Sequence, residues 1–159
     1  MNYSFLIRKA EINDVKAIQA IINEAFNKYI KDAGIPRNVD ALKETPEDII
    51  KDINSKEVFV ALVNNIPAGT IRVEIKHDKT ALITRFGVMP EYQNNGIGRA
   101  IMNYVDKFLV SKHIEKVYLY TASKHKDLVR FYYSMGFYID STTKDKGYVR
   151  ALMVKEYSK

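Results

Sequence analysis

Val88-Met89-Pro90-Glu91-Tyr92-Gln93-Asn94-Asn95-Gly96-Ile97-Gly98-Arg99 sets a glycine-bearing turn between an apolar strand and a strong helix. A junction of this kind is a pocket for phosphate. Glycines let backbone amides crowd toward an anion with no Cβ in the way, and the new helix adds its unpaired N–H groups and the positive end of its dipole. Two other phosphate motifs do not fit. A P-loop continues Gly-Lys-Ser/Thr where this chain reads Gly98-Arg99-Ala100, and a dinucleotide fingerprint has a third glycine where Ile101 stands.

Working outward, the turn closes a β-rich stretch. Val58 to Val63 is an apolar run ending at the turn pair Asn64-Asn65, and Ala68 to Lys76 alternates through Ile71, Val73 and Ile75. His77-Asp78-Lys79 turns into a third strand, Thr80 to Val88, where Gly87 marks a bulge or a close backbone approach. Beyond the turn, Ile97, Ile101, Val105, Phe108 and Leu109 recur at helical spacing from Gly96 to Ser111, and Lys116 to Thr121 reads as a buried strand. Strand, turn, helix and strand make a crossover with parallel strands.

The ends follow the same rules. Ser4 to Arg8 is a short strand, and Asn13 is placed to cap a helix with Val15, Ile18, Ile22, Ala25, Phe26 and Tyr29 on one face. Gly34-Ile35-Pro36 stops that helix, and Thr45-Pro46-Glu47-Asp48 starts the next with a capping hydroxyl, a first-turn proline and two acids. Lys28 to Glu44 is expected to be the variable, mobile segment. Lys126 to Met135 forms the last helix, ended by Gly136, before strands Phe137 to Ser141 and Tyr148 to Lys155. The order is βααβββαβαββ, an α/β fold in one domain spanning residues 1–159.

Composition narrows the chemistry. There is no cysteine, which excludes disulfides and a thiol nucleophile, and the three histidines share no short ligand spacing, so no metal site is expected. A net charge of +6 favours an anionic partner such as nucleic acid or a phosphate-rich coenzyme. No RNP1, KH or zinc-finger pattern accompanies the eleven tyrosines, which argues against nucleic acid. The first residues lack a signal-peptide pattern and no apolar run reaches membrane-spanning length, so a cytoplasmic protein without a membrane partner is expected.

The stretch Val-x-Pro-x-Tyr-Gln93-x-x-Gly96-x-Gly98 resembles the coenzyme-A-binding signature of the GNAT family of N-acetyltransferases. Leu128-Val129-Arg130-Phe131-Tyr132-Tyr133-Ser134-Met135-Gly136-Phe137 resembles a second block of that family, an aromatic-Tyr pair a fixed interval before Gly-Phe. The resemblance implies a mixed, mostly antiparallel sheet of six to seven strands flanked by about four helices, with a parallel, splayed strand pair at the coenzyme site. It implies acetyl-coenzyme A as co-substrate, with the pantetheine arm on the backbone of Phe86, Gly87 and Val88. The pyrophosphate would lie on the amides of Gln93, Asn94, Asn95, Gly96, Ile97, Gly98 and Arg99. Tyr132 falls on the tyrosine that protonates the departing thiolate, a suitable role for a phenol with a pKa of about 10.

Two positions depart from the family pattern. His125 stands where an asparagine commonly bonds the coenzyme, and Thr84 where many members place a glutamate base. Glu74 on the preceding strand, or a water relay to backbone carbonyls, is left to deprotonate an amine whose pKa is about 10.4. Acids gather beside the first two helices, so Asp32 and Asp40 are expected to bind the acceptor, an amine of cationic character. The activity implied is direct acetyl transfer to a primary amine of a small molecule or peptide. A non-catalytic acyl-coenzyme-A-binding module is the alternative, and a homodimer through the final strands is conceivable.

Overall fold

Apolar alternation along three consecutive strands creates a meander that needs cover on both faces, and the helices before and after it supply that cover. The computed structural model describes residues 4–157. Its elements are β1 (Phe5–Lys9), α1 (Val15–Ala33), α2 (Pro46–Ser55), β2 (Glu57–Val63), β3 (Ile66–Ile75), β4 (Thr80–Val88), α3 (Ile97–Ser111), β5 (Lys116–Ala122), α4 (Lys126–Ser134), β6 (Tyr138–Thr143) and β7 (Arg150–Glu156). One sheet joins the strands in the order β1-β2-β3-β4-β5-β7-β6, antiparallel throughout except for the parallel pair β4–β5. This is the mixed, mostly antiparallel α/β sheet expected from the sequence.

Helix α3 seals one face through Ile101, Met102, Val105 and Leu109, which pack with Phe59, Ile71, Val73, Val117 and Leu119 in the largest core cluster. On the other face Ile18 and Ile22 of α1 and Ile49 of α2 meet Val58 and Val60 of β2. Strand β3 is therefore buried on both sides along most of its length.

One expectation is corrected. Asn13 does not cap α1; it lies in a 3-10 turn, Ile12–Asp14, and the Asp14 carboxylate instead receives the Glu11 N–H at 2.7 Å. Arg8 grips that carboxylate with two bonds of 2.8 and 3.0 Å, which hold its pKa below the ordinary aspartate value. The first helix ends where the sequence places its stop. Helix α1 runs on to Ala33, Gly34 caps it at φ 67°, and a 3-10 turn at Asp40–Lys43 buries Ala41.

Of the two readings offered for Gly87, a bulge or a close approach, the second holds, beside a bulge in β4. Thr70 faces Gly87 but Arg72 faces Thr84, so β4 holds one residue more than its partner between them, and the left-handed residue there is Arg85 at φ 50°. Gly87 has a different task. A Cβ on it would stand 3.0 Å from the Ala25 Cβ, so its bareness lets α1 lie close against the strand.

Candidate active site

Strands β4 and β5 pair only at Thr80, Ala81 and Leu82, opposite Lys116, Val117 and Tyr118. Beyond them the strands part, and the gap opens into a cavity of about 960 Å³. Its walls are β4 from Ile83 to Val88, β5 from Leu119 to Thr121, the glycine turn and helix α4, and it extends to α1, residues 38–43 and the hairpin at 145–150.

At one end the turn is built as a row of donors. Gln93 does not belong to it: its amide is used by Pro90 O at 3.2 Å, and its side chain reaches back to donate to Val88 O at 2.9 Å, bracing the turn against the strand. The amides of Asn94, Asn95, Gly96, Ile97, Gly98 and Arg99 have no acceptor among the described residues, and the helical ladder begins only with Ala100 N–H on Gly96 O. Gly96 enters the helix at φ 83°, a conformation an L side chain rarely adopts. Asn94, Gly96, Gly98 and Arg99 line the cavity; Asn95 lies outside it, and the Ile97 side chain is buried in the core. Arg99 is turned toward α4, donating to Ser134 Oγ at 3.1 Å with its guanidinium 5.9 Å from the Phe131 ring centre.

Aromatic rings form the wall between turn and splay. Phe86 stacks on Phe131 at 6.2 Å and stands 6.4 Å from Tyr132, whose ring also meets Phe137 at 5.8 Å. Tyr132 borders the cavity yet is 5% exposed, and burial raises its phenol pKa well above the ordinary value, with Tyr29 nearby adding to the shift. His125 caps α4, its Nδ1 accepting the Leu128 N–H at 3.2 Å, and stacks on Tyr29 at 5.6 Å. With Nδ1 accepting, the ring N–H is at Nε2. Tyr29 in turn takes the Ala122 N–H at 2.7 Å, satisfying a strand amide.

Glu74 is not brought to this site. It lies opposite Leu82, pairs with Lys76 at 3.4 Å and lines a smaller depression that adjoins the cavity through Asp40, Lys43 and Arg85. Asp32 and Asp40 both line the cavity, exposed and each beside a lysine, Asp32 with Lys28 and Asp40 with Lys146 at 3.7 Å. Among the described residues no cluster of three or more His, Asp or Glu is placed to hold a metal ion, and no helix is long and apolar enough to cross a membrane.

The sequence reading also missed a network beneath the acceptor side. Arg72 of β3 is fully buried and grips both carboxylate oxygens of Glu44, one at 2.7 Å, while Asp52 of α2 accepts from it at 2.8 Å. Glu44 further accepts from Nε of Arg85, the bulge residue, at 3.3 Å.

A splayed parallel pair beside a glycine turn with free amides defines a coenzyme-A-dependent acyltransferase. The chain belongs to the acetyltransferase (GNAT) family, whose model matches residues 17–137, and it uses acetyl-coenzyme A as acetyl donor. Its fold is similar to that of PaiA N-acetyltransferase of Thermoplasma acidophilum in complex with coenzyme A, with a TM-score of 0.84 at 23% identity over 97% of this chain and 99% of that one. The ribosomal-protein alanine N-acetyltransferase of Escherichia coli gives a TM-score of 0.80 at 17% identity, over 98% and 96% of the two chains. A spermidine N-acetyltransferase chimera of Vibrio cholerae SpeG and hSSAT gives 0.77 at 17%, over 96% and 95%. At these identities the likeness is one of fold.

Proposed function

We propose that this protein transfers the acetyl group directly to a primary amine of a small molecule or peptide, with the coenzyme along the glycine turn and the β4 splay. The observation that carries this reading is the continuity of one cavity from the unpaired amides at Asn94–Arg99, past Phe86, Gly87 and Val88, to the Tyr132 ring. Acetyl-coenzyme A supplies an activated thioester; the protein supplies orientation and protons.

In this reading the amides of Asn94 to Arg99 and the start of α3 receive the pyrophosphate, while Arg99 adds charge. A backbone N–H of the splayed stretch near Val88 polarises the thioester carbonyl. Tyr132 keeps its proton at neutral pH, because burial disfavours the phenolate, and delivers it to the departing sulfur. The carboxylates that line the cavity, Asp32, Asp40, Asp127 and Asp145, are all exposed, while Thr84 occupies β4 in its depth and Glu74 lines the adjoining depression. Proton removal from the ammonium is assigned to water held by carbonyls of the parted strands.

The missing carboxylate is also what favours the second reading, a coenzyme-binding module without turnover. Free thiol released from acetyl-coenzyme A, measured across amino acids, polyamines, arylalkylamines and peptides, separates the two. Amine-dependent release supports transfer. Tight coenzyme binding with no release on any amine overturns it in favour of the module.

A further inference from the structure

The rim carboxylates at the acceptor end are paired and exposed, whereas the two charged side chains set deeper in that wall are arginines. The side chains of Arg85 and Arg150 are 25% and 17% exposed, against 37%, 66% and 57% for Asp32, Asp40 and Asp145. A charge withdrawn from water acts through a lower effective dielectric than one at the rim, so the arginines dominate the potential that a bound acceptor meets. Arg85 is balanced by buried Glu44 beneath it. Among the described residues Arg150 is paired with Asp145 alone, on the exposed hairpin, with Nη2 at 3.0 and 3.3 Å from its two oxygens.

The rest of that guanidinium is unused. Among the described residues neither Nη1 nor Nε has a partner, and since Nε is closed off from solvent a ligand would meet the Nη edge. Its Cζ lies over the Tyr120 ring, 4.3 Å from the centre, on a residue that opens β7 and pairs with Ala122 of β5 and Thr143 of β6. A rigid, planar, under-bonded guanidinium in the wall of a cavity is a fork for a carboxylate. Arg150 borders the same cavity as Tyr29, Tyr120 and His125, on the acceptor side of the splay.

We propose that the acceptor is an amine that also bears a carboxylate, as a free amino acid does, and that Arg150 binds this carboxylate in exchange for Asp145. The inference rests on the acetyl-transfer reading above and names its substrate class. It reverses the expectation of a purely cationic acceptor: a diamine would bring a second positive charge toward Arg150 and Arg85, whereas an amino acid leaves one charge satisfied and the amine free to enter the splay.

The test uses matched pairs, each an amino acid and the amine left by removing its carboxyl group, with thiol release as readout. For the unmodified protein the carboxylate-bearing member should have the higher kcat/KM by at least about tenfold, as expected for a charged hydrogen bond made in a partly buried site. In R150Q that preference should collapse toward unity, with the change in KM; R150K, which keeps the charge without the fork, should retain an intermediate preference. Folding of both variants is checked by thermal melting. Preference of the unmodified protein for the decarboxylated amines, or an unchanged ratio in a folded R150Q, overturns the proposal. Coenzyme binding with transfer to neither member of any pair overturns the transfer reading itself, and this inference with it.

Discussion

The coenzyme end of the cavity is made chiefly by one uninterrupted stretch of chain, Phe86 to Arg99, backed by α4, whereas the acceptor end is assembled from the end of α1, residues 38–43, the β4 bulge and the hairpin at 145–150. The first end works through backbone: free amides, a left-handed glycine, a strand released from its neighbour. The second works through charged side chains that must be held by partners far away in sequence, as Glu44 is by Arg72 and Arg85. A backbone site tolerates many side chains and fails when the chain path is altered. A side-chain site fails when one partner is removed and the others are left charged in the dark.

The sharpest way to break that contrast is to remove Glu44. Glu44→Ala leaves the fully buried Arg72 with only Asp52, itself shared with Lys56, and Arg85 with no carboxylate. Loss of one partner of a buried pair costs about 3 kcal/mol or more, so chemical denaturation should show a loss of this size. Asp52→Ala should cost less, because Glu44 keeps both oxygens on Arg72. Equal, small losses in the two variants would mean that the network is not what supports the acceptor side.

Tyr132 stands where the two ends meet, and Tyr132→Phe tests whether chemistry depends on it. The ring packing against Phe86 and Phe137 survives, so the loss should fall on kcat, on the order of 10²-fold, and not on coenzyme affinity. Because burial raises the phenol pKa, the unmodified enzyme should show no fall in kcat from Tyr132 ionisation up to the ordinary tyrosine value of about 10. A fall centred near that value that vanishes in the Phe variant would show that the phenol is solvated.

These two ends differ in how legible they were. The turn was readable because its signals are local: glycine spacing, a strand before, a helix after. The element order was readable for the same reason, through periodicity and caps. The Arg72 network was not, because alternation of Ile71, Arg72 and Val73 reads as one buried face and one wet face. Here both faces of β3 are covered, and alternation has no means of distinguishing water from a second layer of helix. His125 was legible only as an oddity; its role as the α4 cap depends on ring position. Of the lysines beside the two rim acids, Lys28 was readable from its i,i+4 spacing to Asp32, whereas the approach of Lys146 to Asp40 joins a hairpin to a distant turn and no local pattern states it.

A smaller effect sharpens the coenzyme side. A Cβ on Gly98 would lie 3.4 Å from Phe86 and 3.7 Å from Phe131, contacts the fold can absorb, so Gly98→Asp should melt close to the unmodified protein. Its carboxylate would stand beside the open amides of the turn. Acetyl-coenzyme A should therefore bind about tenfold more weakly, ~1.4 kcal/mol by calorimetry. Unchanged affinity in a folded Gly98→Asp protein would remove the pyrophosphate from this turn.

The smallest expected effect lies at the bulge, where the two ends join through one residue. Arg85 holds a left-handed backbone at φ 50°, a conformation that disfavours any L side chain by roughly 1–2 kcal/mol, and its Nε is tied to Glu44. Arg85→Ala removes the tie and keeps the strain. Arg85→Gly removes both, offset in part by the flexibility of glycine in the unfolded chain. The glycine variant should therefore be the more stable of the two by about 1 kcal/mol, which for a chain of this size raises the melting temperature by about 2–4 °C. Gly87→Ala, two residues on, should go the other way, since its Cβ would press on Ala25 at 3.0 Å and push α1 off the strand. If alanine at 85 were as stable as glycine there, the left-handed turn of the bulge would not be where the register shift of β4 is made, and Gly87 would regain that role.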